Sequence, residues 1–128
     1  MKLGSKYTHQ YSFSQNDVNL FAQVTGDTNS LHLDEKYAEK TIFKTRIIHG
    51  FLSASVFSKV FGTLFPGEGC IYLEQNLKFL QPMFCNTLYN AVFEVIEVKS
   101  KNNIAVVSTL IKDLKNTITI NGNAVIKF

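Results

Sequence analysis

The 128-residue chain has no tryptophan, only two prolines and only two cysteines. Each shortage removes a class of protein. Cys70 and Cys85 lie far apart and match no metal-binding or redox spacing, so neither a zinc ribbon nor a disulfide scaffold is predicted. Charge of one sign is short as well: 13 basic residues against 10 acidic ones leave a net +3, with no long basic block. A nucleic-acid reader would show a basic stripe. That class is set aside, whereas an anionic small molecule remains compatible. A long hydrophobic run is also missing. The most apolar stretch, "HGFLSASVFSKVFGTLF", is broken by Lys59 and three serines, and it falls short of the ~20 residues a membrane span requires. It is expected to be a buried helix instead. "MKLGSKYTHQ" carries no apolar leader, so the thiols are expected to be reduced and the protein cytoplasmic.

Apolar side chains are plentiful. They make up 45% of the chain against 18% charged, with eleven Phe and five Tyr. This composition and length predict one ordered domain over residues 1–128 with an aromatic-rich core.

"KYTHQYSF" (6–13) reads as a short strand. Ser14 followed by Asp17 is a capping-box pattern, and Val18, Phe21, Ala22 and Thr25 continue at helical spacing until Gly26. A loop is expected over 26–34. Asp34 then caps a short helix, "EKYAEK", with Tyr37 and Ala38 inward. From about Gly50 to Leu64 the chain is apolar nearly all round, which predicts a helix buried on most sides. "PGEG" stops it, and the period changes to two. Ile71, Leu73, Gln75, Leu77 and Phe79 alternate with Tyr72, Glu74, Asn76 and Lys78. "LYNAVFEVIEVK", "IAVVSTLIKD" and "TITINGNAVIKF" are three more strands, with hairpin turns at "SKNN" and "LKNT". The predicted class is α+β, an antiparallel sheet wrapped around one long buried helix.

The segment "GDTNSLHLD" (26–34) gathers two carboxylates, an amide and a histidine. Its start resembles a calcium loop, but the positions that should hold an oxygen ligand, glycine and glutamate hold Leu31, His32 and Ala38. Asp27, His32 and His49 could supply three zinc ligands, yet no pair has a common zinc spacing. A G-x-S-x-G elbow is absent, which argues against a serine hydrolase.

Asp27 and His32 would point about 140° apart on a continuous helix. On a tight loop both can face one cleft and hold a water, one group taking a proton while the other gives one. The alternative on spacing alone is a loop-turning aspartate and a hydrogen-bonded core histidine. His49-Gly50 opens the buried helix, where N–H groups are unpaired and a residue without a side chain admits a close ligand. Gly50 is therefore a candidate oxyanion hole. Ser58 and Phe61, three apart, share one face of this helix.

Three pieces, "TGDTNSLHLDEKYA", "IIHGFLSASVFSKVFG" and "LFPGEGCIYLEQNLKFLQPMF", resemble the MaoC-like (R)-specific enoyl-CoA hydratases, a family with the hot-dog fold. The resemblance covers essentially the whole chain, with the D-x-N-x-x-H motif intact. It implies a metal-free, cofactor-free hydration of trans-2-enoyl-CoA to (R)-3-hydroxyacyl-CoA. Asp27 and His32 would be the catalytic pair, Asn29 would orient them or the water, and Gly50 N–H would bind the thioester oxygen. Ser58 would support the site, and His49 and Phe61 would contact substrate, Phe61 shortening the acyl tunnel. A homodimer is implied, and Lys44, Arg46 or Lys78 would meet the phosphates of CoA. The family's proline after the motif Asn is Ser30 here, and its Gly-Asp-Thr turn is Cys85-Asn86-Thr87. The alternatives are a 3-hydroxyacyl-ACP dehydratase, a hot-dog thioesterase and a non-catalytic acyl-binding subunit. The intact motif argues against the last two.

Overall fold

The first helix is set by its cap. In the computed structural model, which describes residues 1–128, the Ser14 hydroxyl accepts from the Asp17 N–H at 3.1 Å while the Asp17 carboxylate accepts from the Ser14 N–H at 2.8 Å. This reciprocal pair starts α1 (Gln15–Thr25), and Gly26, at φ 79°, ends it. Two short helices follow, α2 (Ser30–Leu33) and α3 (Glu35–Glu39). The expected loop over 26–34 thus contains a helical turn, because the Asn29 side chain caps the Leu31 N–H at 3.0 Å. Asp34 caps α3 as expected, through Tyr37 N–H. Ala38 is buried, but Tyr37 is 52% exposed and does not point inward.

The long helix α4 (Gly50–Thr63) buries Leu52, Ala54, Val56, Phe57, Val60 and Phe61. Its opposite face, from Phe51 through Ser55 and Ser58 to Gly62, is exposed, so burial is one-sided rather than all-round. Six antiparallel strands make one sheet: β1 (Lys6–Tyr11), β2 (Ile71–Gln75), β3 (Lys78–Phe79), β4 (Tyr89–Lys99), β5 (Ile104–Asp113) and β6 (Ile118–Lys127). The order is β1-β4-β5-β6-β2, with β3 also on β6. The three long C-terminal strands form where the alternating pattern placed them. The expected single strand over 71–79 is instead divided. A bulge between Tyr72 and Glu74 shifts the register, and the Asn76 carbonyl approaches Gly122 so closely that a Cβ there would lie 1.8 Å from its oxygen.

One face of the sheet packs on α4. Phe57 and Phe61 meet Phe93 of β4 edge-to-face, with centroids 5.6 and 5.3 Å apart. Such pairs add about 0.5–1.5 kcal/mol to the burial of each ring. They sit inside a continuous core of 19 buried apolar residues. This is the hot-dog arrangement implied by the sequence resemblance. No helix is long and apolar enough to cross a membrane.

Candidate active site

The segment between α1 and α4 crosses the start of α4 and is held there by side chains bonding backbone. Thr25 Oγ1 accepts from the Asp27 N–H at 3.2 Å, and an Asp27 carboxylate oxygen accepts from the Asn29 N–H at 3.3 Å. These bonds turn the chain after Gly26 and leave the Asp27 carboxylate exposed. Two clamps fix His32. Gln15, on α1, donates from Nε2 to the His32 carbonyl at 2.8 Å. The His32 ring donates from Nδ1 to the Ile47 carbonyl at 2.8 Å.

That second bond selects a tautomer. A carbonyl only accepts, so Nδ1 carries the hydrogen and Nε2 of neutral His32 keeps its lone pair. Burial holds the His32 imidazole below its ordinary range, and neighbouring His49 adds to this. The Ile47 hydrogen bond and the Asp27 carboxylate oppose it. Neutral His32 is therefore an acceptor.

Asp27, His32 and His49 each bring one nitrogen or carboxylate oxygen within 4.8 Å of the others. A single water with hydrogen bonds of about 2.8 Å to either side spans such a gap. As a chelate the trio is poorly shaped. His32 and His49 stack face to face, with centroids 3.9 Å and planes 30° apart, so their in-plane lone pairs run side by side rather than toward one ion.

Two chambers meet at His32, Gly50 and Phe51. The smaller, about 270 Å³, holds Asp27, His32, His49 and Gly50 with Phe21 and Thr25. The larger, about 460 Å³, is mostly apolar and is walled by Phe43, Ile47, Phe79, Met83 and Ile120. Gly50 opens α4, and no side chain caps that end, so its N–H has no carbonyl inside the helix to bond. The ring of Phe79 lies where a Gly50 Cβ would be, 2.7 Å from it. A larger residue at this position would have to push that half-exposed ring aside.

Other expected site residues lie elsewhere. Ser58 is on the exposed face of α4, about 12 Å along the helix from Gly50, and lines neither chamber. Ser53 lines the larger chamber, and its buried hydroxyl has no hydrogen-bond partner. It is not among the residues expected from sequence, although its position about one turn from Gly50 could have distinguished it. Phe61 is core, packed on Tyr72 and Phe93, and Phe79, Phe43 and Met83 bound the chamber instead. His49, expected to contact substrate, is 2% exposed and lines the smaller chamber beside Asp27 and His32. Asn29 holds the turn through Leu31. Arg46 is engaged by Glu35 at 3.1 Å and by the Leu33 carbonyl. Lys44 and Lys78 are exposed without a salt bridge, each next in sequence to a chamber-lining ring.

An antiparallel sheet over a central helix, with an Asp–His pair beside an uncapped glycine amide, defines a class that comparison with known proteins makes specific. The sequence model of the MaoC-like domain matches residues 2–116, and the chain belongs to that family. It is 36% identical over 127 residues to the (R)-specific enoyl-CoA hydratase of Aeromonas caviae, covering 99% of this chain and 95% of that one. The (R)-specific enoyl-CoA hydratase of Rhodospirillum rubrum is 47% identical over 83 residues, 65% of this chain and 58% of that one. Among solved structures, the (R)-hydratase from A. caviae involved in PHA biosynthesis superposes with a TM-score of 0.96 at 36% identity, covering 100% of this chain and 97% of that chain.

Proposed function

We propose that this chain is an (R)-specific enoyl-CoA hydratase, adding water across a trans-2-enoyl thioester and catalysing the reverse dehydration. The observation that carries this reading is the Asp27–His32 pair, within one water's reach and beside the Gly50 amide. The water donates one hydrogen bond to the Asp27 carboxylate and one to His32 Nε2, which turns an oxygen lone pair toward C3. As the O–C3 bond forms, the π electrons of the double bond move toward the thioester, and Gly50 N–H stabilises the charge on its oxygen. The proton released by the water is received within the pair and returned to C2 on the same face. One water is consumed and no electrons are exchanged. The apolar chamber beside Phe79 takes the chain flanking the reacting carbons, and Lys44 and Lys78 meet the phosphates of CoA.

The same reading makes the protein a single-domain, cytoplasmic homodimer. The dimer is supported by the free edge of β2, where Ile71 and Leu73 are 54% and 48% exposed, together with the open face of α4. Light scattering should return twice the chain mass.

The direct test is loss of enoyl-thioester absorbance from crotonyl-CoA, with chiral analysis of the product. Asp27→Asn and His32→Gln are each expected to lower kcat by about 10²–10⁴-fold with the fold intact by circular dichroism. Variants as active as the wild type would sink the mechanism. Turnover of acyl-ACP with none of acyl-CoA would move the assignment to the carrier-protein dehydratase.

A further inference from the structure

His49 is buried, yet it touches both halves of the catalytic pair. Its Nε2–H donates to the Asp27 carbonyl at 2.9 Å. Its ring lies face to face with His32 at 3.9 Å, and Phe21 backs it at 4.8 Å. The remaining nitrogen, Nδ1, is buried with no hydrogen-bond partner. A leucine or phenylalanine would fill the volume without leaving a nitrogen unpaired. Packing alone therefore does not account for an imidazole here.

We propose that His49 is a positioning residue that aligns Asp27 and His32 on one water. Its N–H holds the Asp27 backbone, which fixes where the carboxylate leaves the turn. Its ring face sets the plane of the His32 imidazole, whose other constraint is the single bond to the Ile47 carbonyl. Together these contacts aim His32 Nε2 and the carboxylate into the same small chamber. The titratable groups facing His32 there are Asp27 and His49; α1 presents only Phe21 and Thr25, and α4 presents Gly50 and Phe51. The inference rests on the hydratase reading above.

Two variants separate the two contacts. His49→Gln keeps an N–H donor but has no ring, and His49→Phe keeps a ring but no donor. With crotonyl-CoA, His49→Phe is expected to lower kcat about 30-fold at nearly unchanged KM, because a loosened Asp27 misplaces the water. His49→Gln is expected to retain more of kcat. Its acid limb in kcat/KM should move to higher pH, since removing the ring hydrates His32. Variants equal to the wild type in kcat and pH profile would overturn the proposal. So would a rise in KM at constant kcat, the mark of direct substrate contact. If neither variant folds, nitrogen-resolved NMR of the wild-type imidazoles decides: neutral His49 should carry its hydrogen on Nε2, and an Nδ1–H tautomer would refute the proposal. That spectrum needs no substrate. A wild-type enzyme inert to every enoyl thioester would remove the hydratase reading and leave the tautomer result to stand separately.

Discussion

The core and the site segment are built on different forces. Between Gly26 and Ile47 only Ala38 is buried, whereas α4 alone buries seven residues. The core is held by apolar area and interlocking rings. The site segment is held by a few clamps: Gln15 on the His32 carbonyl, Ile47 on the His32 ring, and His49 on the Asp27 carbonyl. A mutation in the core should therefore cost stability first and activity as a consequence. One in the clamps should cost activity while leaving the fold nearly as stable.

The sharpest contrast comes from Phe93→Ala. It removes the ring that Phe57 and Phe61 both meet and is expected to destabilise by about 3–5 kcal/mol in urea unfolding, enough to threaten folding altogether. Gly50→Ala comes next. Its methyl displaces Phe79 at the meeting point of the chambers, so kcat/KM should fall about 10–100-fold while the melting temperature changes little. A collapse of stability instead would place Gly50 with the core. Gln15→Met leaves the His32 carbonyl without its donor, a loss of about 1 kcal/mol; steady-state kinetics should register it more clearly than denaturation. The smallest effect is pH-dependent. Because burial lowers His32 from its ordinary 6.5, the unfolded chain binds a proton before the native one does. The stability tied to this group is full above 6.5 and declines as pH falls toward the native value. His32→Gln should flatten that decline in a urea series.

The same division explains what could be read from the sequence. The α1 capping box, the apolar run of α4 and the alternating C-terminal strands are local or periodic signals, and each formed where its pattern lay. The break between β2 and β3 depends on Gly122, on a strand more than forty residues later, so alternation alone could not reveal it. Ser58 and Phe61 were expected at the site because the resemblance to the hydratases implied it. Which face the site segment crosses is a tertiary choice, and it favours Ser53 and Phe79. His49 lines the smaller chamber, and adjacency to Gly50 did not reveal that it is buried. For Asp27 and His32, a tight loop after Gly26 permitted a shared cleft, but spacing alone left a loop-turning aspartate and a core histidine open as well. The intact D-x-N-x-x-H motif is what singled them out as a pair.

The exposure of the site segment has an evolutionary consequence. Sequence drift in a packed core is slow, because each change must be matched by its neighbours. From Gly26 to Ile47 only Ala38 is fully buried, so the exposed positions there can vary more freely than the core provided the clamps persist. Substrate preference can then diversify through substitutions that natural selection sees only as catalysis, over a scaffold that accumulates no folding debt.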